Sequence, residues 1–164
     1  MFSFNPYVRY IAQTTYFIEN KTLIAPDCRL LYVLYGNGEF EANGKTYPLL
    51  PNVLIYYPAG SSYKITQTKE NPLMFYTINF DFSFDYRNIL TQAPFFKKNQ
   101  NMKILKTQEN YPYFNKVLYF KYALWLLPLI KEIYTESLLR SEGVEEVQSM
   151  QLKLLLIKLL RNSE

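Results

Sequence analysis

The chain has 164 residues, of which 49% are hydrophobic and 20% charged, so it can form one domain with a sizeable core and is not intrinsically disordered. Its net charge of +4 is spread along the chain, without the clustered basic face that nucleic-acid binding needs. There is no histidine and one cysteine, which argues against a zinc or iron site, a conventional catalytic triad and a disulfide framework. The 14 acidic residues form no DxDxDG-type loop, so we expect no metal, no cofactor and binding instead of catalysis.

Within the N-terminal 22 residues, a strand is predicted over residues 14–19, and the dozen residues before it are predicted to form an arm that lies on the body of the domain. They contain Arg9 and several polar positions, but no apolar run of the kind that a signal peptide or a membrane span requires. A single cysteine, Cys28, suits a reducing compartment. We therefore expect a soluble cytoplasmic protein without a membrane partner.

The next part of the chain divides into short strand-like runs separated by Gly, Asn and Pro turns. Asn43-Gly44 is a strong hairpin turn, and Pro58-Ala59-Gly60 marks a corner. Strands spaced in this way are typical of an antiparallel sandwich or barrel. The predicted strands cover residues 28–36, 40–43, 45–50, 53–57, 62–68 and 73–80, with shorter ones at 103–106 and 117–121 in an otherwise irregular segment.

Two helices are predicted at the C-terminal end, over residues 124–140 and 144–161, with Pro128 in the first turn of the first helix. The second helix carries two apolar rows, and two rows require two neighbours. We predict that one row covers the barrel or the first helix and that the other meets a second copy of the chain; a helix buried entirely within one chain is the alternative. The residues predicted at the dimer interface are Val147, Met150, Leu152, Leu155, Leu156 and Leu159.

Five short motifs follow one another in the strand region: Gly36-x-Gly38, Asn43-Gly44-Lys45-x-Tyr47-x-Leu49, Pro51-Asn52, Tyr57-Pro58-Ala59-Gly60 with Tyr63, and Ile78-Asn79-Phe80-Asp81. With the two-helix tail, this series resembles the cupin effector-binding domain of AraC-type bacterial transcription regulators over residues 7–162. The resemblance implies a cupin-like double-stranded β-helix, an antiparallel barrel over residues 1–121, followed by two dimerisation helices over residues 122–164 that form one structural unit with it.

Two positions depart from the family pattern. Metal-binding cupins have a histidine where this chain has Tyr63, so the resemblance does not extend to a metal. The family commonly has Gly-Asp where this chain has Asn52-Val53, but asparagine also tolerates the left-handed conformation of a turn.

The resemblance also implies a sugar or similar small effector inside the barrel, homodimerisation, and a C-terminal helix-turn-helix DNA-binding domain that is absent from this chain. Strand alternation places Tyr63 with Ile65 and Gln67 on one face, which the resemblance makes the inner one, and the resemblance gives Phe75, Thr77 and Asn79 as the matching inner set. Arg29 shares a face with Leu31, Val33 and Tyr35, but the resemblance does not say whether that face is inner or outer. For Phe75 a place in the barrel core, and for Arg29 a surface ion pair, remain open alternatives. The predicted ligand-binding residues are Tyr63, Phe75, Thr77, Asn79, Arg29, Arg9 and Tyr16.

Two other functions remain open. One is a free-standing cupin enzyme or sugar-binding protein, against which the absence of histidine counts because such enzymes use it for metal binding or proton transfer. The other is a dimerisation scaffold whose barrel is filled by its own side chains.

Overall fold

The computed structural model describes residues 2–15, 20–89 and 103–162. These residues form two antiparallel sheets followed by two helices. The strands, in chain order, are β1 (Tyr7–Thr14), β2 (Thr22–Ile24), β3 (Cys28–Tyr35), β4 (Gly38–Ala42), β5 (Lys45–Leu49), β6 (Leu54–Tyr57), β7 (Ser62–Gln67), β8 (Met74–Asp81) and β9 (Leu118–Phe120). The helices are α1 (Leu127–Leu139) and α2 (Val144–Arg161).

The two sheets have the orders β1-β8-β3-β6-β9 and β2-β7-β4-β5. The chain passes from one sheet to the other at every connection between consecutive strands except β4 to β5 and β8 to β9. This arrangement confirms the predicted antiparallel barrel-like domain with C-terminal helices. At the side where β9 lies near β5, the Tyr119 hydroxyl donates a hydrogen bond to the Pro48 carbonyl at 2.8 Å.

Turn chemistry fixes the hairpins that the sequence indicated. Asn43 and Gly44 both have positive φ, 53° and 73°, which is what a two-residue hairpin of this kind requires. Gly36 is required both by its backbone conformation and by lack of space: its φ is +85°, and an added Cβ would lie 2.1 Å from the Pro72 carbonyl oxygen. Only glycine can therefore occupy the position that follows β3 without moving the backbone before β8.

Apolar side chains form two cores. The first lies between the outer face of the five-stranded sheet and the helices, and the second lies between the two sheets. Because residues along a strand alternate between faces, β3 and β8 contribute to both cores, which explains why nearly all of their residues are buried. The second core is the barrel interior, where a ligand was expected.

The structure corrects the predicted N-terminal arm. Residues 7–14 form the edge strand β1, paired with β8, and the ladder shifts register between Val8 and Tyr10. The predicted strand over residues 14–19 falls mainly on residues 16–19, which lie outside the described residues, apart from Thr14 at the end of β1.

Three other elements can be compared with the sequence prediction. Residues 103–106 are not a strand, and the three-residue strand β2 was not predicted. Helix α2 begins and ends where it was predicted.

Within the described ranges, no helix combines the length and apolarity needed to cross a membrane.

Candidate functional site

The inner face of the five-stranded sheet carries a row of polar residues. Arg29 on β3 pairs with Asn79 on β8 and, on its other side, with Tyr57 on β6. Directly paired residues of antiparallel strands project to the same face of a sheet. Leu31, two residues further along β3, belongs to the core between the sheets, so this face is the inner one. The structure therefore shows that Arg29 projects from the inner face of the sheet, a point that the sequence left open.

The other predicted inner-face residues lie on the same walls. Thr77 pairs with Leu31 and Phe75 pairs with Val33, so both project into the barrel. Tyr63 on β7 enters the barrel from the opposite sheet and belongs to the same core. The predicted orientation of these residues is confirmed, and the structure brings five of the seven proposed ligand residues to one interior.

Aromatic rings occupy the middle of this interior. Phe40, Tyr57 and Tyr63 contact one another, with ring centroids 4.8 Å apart for Phe40–Tyr57 and for Tyr57–Tyr63. Phe40 and Tyr63 are stacked at 5.7 Å. Neither Phe40 nor Tyr57 was among the predicted ligand-binding residues. Tyr57 lies two residues after Ile55 on β6, so strand alternation places both on the same face of the sheet and could have identified Tyr57.

A hydrogen-bonded ion pair lies beside these rings. Arg29 is only 4% exposed; its Nε donates to Asp27 Oδ1 at 2.8 Å, and its Nη1 donates to the Tyr63 hydroxyl at 3.1 Å. Asn79 is 2% exposed and accepts a hydrogen bond from Thr77 Oγ1 at 3.3 Å. The barrel interior therefore holds charged and amide groups on one wall and a phenol on the facing wall.

Electrostatics keep this group in defined protonation states. Burial lowers the pKa of Arg29, but Tyr63 and Asp27 raise it by more, so the net shift is upward and the guanidinium stays charged. Burial raises the pKa of Tyr63, partly offset by Arg29, and raises that of Tyr57 well above its usual range. Both phenols therefore remain neutral hydrogen-bonding groups at physiological pH.

The polar row becomes more exposed toward the edge strand β1. Tyr10 pairs with Asn79, and Ala12 pairs with Thr77. Tyr10, Ala12 and Thr77 are half-buried, whereas Asn79 and Arg29 are buried. Access from solvent to the row is therefore greatest at its β1 end.

Two predicted ligand residues are not part of this group. Arg9 lies at the register shift in β1, where its guanidinium binds the Asp81 carboxylate and the carbonyl oxygens of Tyr86 and Ile89. Tyr16 lies outside the described residues. The partners of Arg9 are far away in the sequence, so no local pattern could have identified them.

The apolar rows of α2 differ from the predicted dimer interface. Leu152, Leu155, Leu156 and Leu159 are completely buried in the core that the helices share with the five-stranded sheet. These four leucines cannot meet a second chain without unfolding their own, so the interface predicted at them is wrong.

A different row of α2 faces outward. Met150 is 65% exposed, Leu154 is 45% exposed, and Val147 and Ile157 are half-buried. The four follow one another at helical spacing, on the side opposite the buried leucines. Of the predicted interface residues, Val147 and Met150 belong to this exposed row.

A surface groove of about 580 Å³ lies outside the barrel. Its walls come from the N-terminal residues 3–5 and from residues 82–86, 103–107, 110 and 111. From the sequence, residues 82–111 were expected to be irregular apart from a short strand over residues 103–106, and no groove was predicted there. In the described ranges, no three Cys, Asp or Glu side chains come together as a metal site.

These features define a class of domain: a two-sheet antiparallel barrel with a buried polar row inside and two helices packed outside. Among solved structures, the chain is similar to an apo form of a ToxT variant from Vibrio cholerae, with a TM-score of 0.55 and 10% identity over 97% of this chain and 52% of that chain. A second ToxT crystal form gives a TM-score of 0.47 at 10% identity, covering 99% and 54%. ToxT with a bound unsaturated fatty acid gives 0.46 at 9% identity, covering 92% and 47%.

The chain thus spans about half the length of these ToxT structures. At 10% identity the similarity to ToxT establishes the fold. No protein-family model matches the sequence, and no curated protein matches it.

Proposed function

We propose that this chain is the small-molecule-sensing domain of an AraC-type transcription regulator, and that its effector binds between the two sheets. Two observations support the class: the ordered motif series from Gly36 to Asp81, and the shared fold with ToxT, an AraC-family regulator with an N-terminal ligand-binding domain. In this proposal, DNA is contacted through a helix-turn-helix domain outside this sequence.

The buried polar row inside the barrel is the observation that carries the proposal. A barrel that served only as a scaffold could fill its interior with apolar side chains, because a buried ion pair is often no more stabilising than the apolar residues that could replace it. This barrel instead holds Arg29, Asp27, Asn79 and Tyr63, with Thr77 nearer the exposed edge. Buried polar groups that converge on one interior are what a small-ligand site requires.

The interior suits two chemical classes of effector. The faces of Tyr57 and Tyr63, together with the amide of Asn79, could stack against and hydrogen-bond a sugar. The apolar side chains of Leu31 and Phe75 could instead line the tail of an apolar ligand whose polar end reaches Arg29. We propose a metal-free binding site and no enzymatic activity.

The proposal is tested by thermal shift of the purified chain with a panel of sugars, small metabolites and fatty acids. An effector at a concentration 100 times its dissociation constant stabilises the fold by about 2.7 kcal/mol. A stabilisation of this size raises Tm by a readily measured amount. Tyr63→Phe and Asn79→Ala should each weaken binding about tenfold, the usual effect of losing one hydrogen bond. Tyr35→Phe, at a residue that is 66% exposed, is the matched control and should bind normally.

The competing functions give different results. If no member of the panel shifts Tm, and Asn79→Leu stabilises the chain, the barrel is a filled scaffold. If a sugar binds and mass spectrometry then detects its conversion, the chain is an enzyme.

We further propose that the exposed row of α2, consisting of Val147, Met150, Leu154 and Ile157, is where a second copy of the chain binds. Single exposed apolar residues are ordinary, but four in one row on a helix are typical of an interface. This row is one of the two apolar rows that the sequence of α2 contains.

A further inference from the structure

Arg9 joins three parts of the fold. It lies where the ladder between β1 and β8 shifts register, and its Nε donates to Asp81 Oδ2 on β8. Its Nη1 donates to the Ile89 carbonyl at 2.5 Å and its Nη2 donates to the Tyr86 carbonyl at 2.6 Å. A guanidinium has a fixed fork of donors, so the position of its Nε at Asp81 determines where the other two nitrogens point. Asp81 therefore orients the group that fastens residues 84–89 to the barrel.

The Asp81 carboxylate is held in an unusual environment. Its side chain is completely buried, and within the described residues its Oδ1 has no hydrogen-bond partner. An unsatisfied buried carboxylate oxygen penalises the charged form, whereas the contact with Arg9 favours it. The charged and neutral states of Asp81 are thus close in free energy, and small changes can alter their balance.

Several other charged or titratable groups face this site. Tyr7 comes from β1, Asp27, which is paired with Arg29, immediately precedes β3, and Cys28 is the first residue of β3. Arg87, which follows residues 84–86, and Glu145, on α2, act on Tyr7. Burial raises the pKa of Tyr7 and raises that of Cys28 to about 12, so both remain neutral. Burial raises the pKa of Asp81 to about 7, although Arg9 acts in the opposite direction. The chain has no histidine that could titrate in the same range.

We propose that Arg9 and Asp81 form a charge-dependent latch that fastens residues 84–89 to the barrel, and that proton uptake by Asp81 releases it. When Asp81 is charged, Arg9 is oriented toward the carbonyls of Tyr86 and Ile89. When Asp81 is neutral, Arg9 loses its counter-ion in a buried position and is drawn toward solvent. Residues 84–86 form part of one wall of the 580 Å³ groove, so release of the latch changes the shape of that groove.

The amide protons of Arg87 and Ile89 report on the latch directly. They donate to the carbonyls of Phe84 and Tyr86 at 3.1 Å and 3.0 Å, within the latched segment. Hydrogen exchange of these two amides can be measured by NMR on the whole chain at pH 6 and pH 8 and corrected for the intrinsic exchange rates. We expect their protection to be about tenfold lower at pH 6 than at pH 8, since a change of one pKa unit corresponds to a factor of ten. Amides of the central strand β3 should keep their protection at both values.

Variants separate the latch from a general effect of pH. In Asp81→Asn the two amides should be weakly protected at both pH values, and in Arg9→Gln likewise, because either change removes the oriented guanidinium. Glu145→Gln is the matched control: it neutralises an exposed acid that acts on Tyr7, and it should leave the pH dependence of the wild type unchanged.

Two results would overturn the proposal. One is protection of Arg87 and Ile89 that does not change between pH 6 and pH 8 in the wild type. The other is the same pH-dependent loss in Asp81→Asn or Arg9→Gln, which would assign it to a different group. If Asp81→Asn does not fold, Arg9→Gln alone decides between these outcomes, since Arg9 lies on an edge strand.

Discussion

Arg29 on β3 and Tyr63 on β7 meet across the barrel, where Arg29 Nη1 donates a hydrogen bond to the Tyr63 hydroxyl at 3.1 Å. The two residues belong to opposite sheets, so this bond ties the walls of the barrel together around the aromatic trio Phe40, Tyr57 and Tyr63. It also shows how the interior combines an ion pair with ring faces.

Removing only one member of the ion pair should be costly. Arg29→Met leaves the buried Asp27 carboxylate without its guanidinium, and we expect a loss of about 3–5 kcal/mol in the free energy of unfolding. The double variant Asp27→Asn/Arg29→Met should recover most of that loss, because it removes both charges. Urea denaturation of the three proteins measures the difference. A double variant as unstable as Arg29→Met would mean that the guanidinium stabilises the barrel by its other contacts.

Substitutions on the two faces of α2 should have different effects. Met150→Glu and Leu154→Glu place charges in the exposed row, so light scattering should show that they convert a dimer into a folded monomer. Their Tm should fall only by the amount that dimerisation contributes. Leu155→Glu places a charge in the completely buried row and should prevent folding. Tyr35→Glu, on the exposed end of β3, is the control for added surface charge. A wild-type monomer at tens of micromolar protein, roughly the range where such dimers are populated, would count against the proposed interface.

Stability should fall as pH rises through the range in which Asp81 ionises. Burial raises the pKa of Asp81 from 3.8 to about 7, so between these values the folded chain holds a proton that the unfolded chain has released. Through this group alone, the free energy of unfolding should fall by up to about 1.4 kcal/mol for each pH unit between these two values. Above about pH 7 the carboxyl is ionised in both states, so it causes no further fall. Chemical denaturation from pH 4.5 to pH 8 tests this, with Asp81→Asn expected to remove this part of the slope. An identical slope in the variant would exclude Asp81 as its source.

Two glycines with positive φ should respond differently to substitution by alanine. Gly44→Ala meets no atom within 4 Å and should cost about 1 kcal/mol, the penalty of the left-handed conformation alone. Gly36→Ala combines that penalty with a clash against the Pro72 carbonyl, so it should cost several times more or prevent folding. Thermal denaturation of both variants gives the comparison. Equal losses would show that the backbone before β8 moves easily.

The hairpins and helices were accessible from the sequence because their signals are local. Asn43-Gly44 specifies a hairpin within two residues, and helix α2 carries its own acidic start and basic end. Alternation along β8 was likewise enough to group Phe75, Thr77 and Asn79 on one face. These features depend on neighbours in the chain, and the structure confirms them.

Only the tertiary structure decided which distant residues meet. The face of Arg29, the pairing of β1 with β8 and the contact of Arg9 with Asp81 all join segments far apart in the chain, and no local pattern specifies such pairings. The same holds for α2, whose sequence contains two apolar rows but does not say which is covered. Burial of Leu155 and exposure of Met150 follow from where the helix packs on the sheet, because a hydrophobic side chain has no preferred partner until the whole core forms.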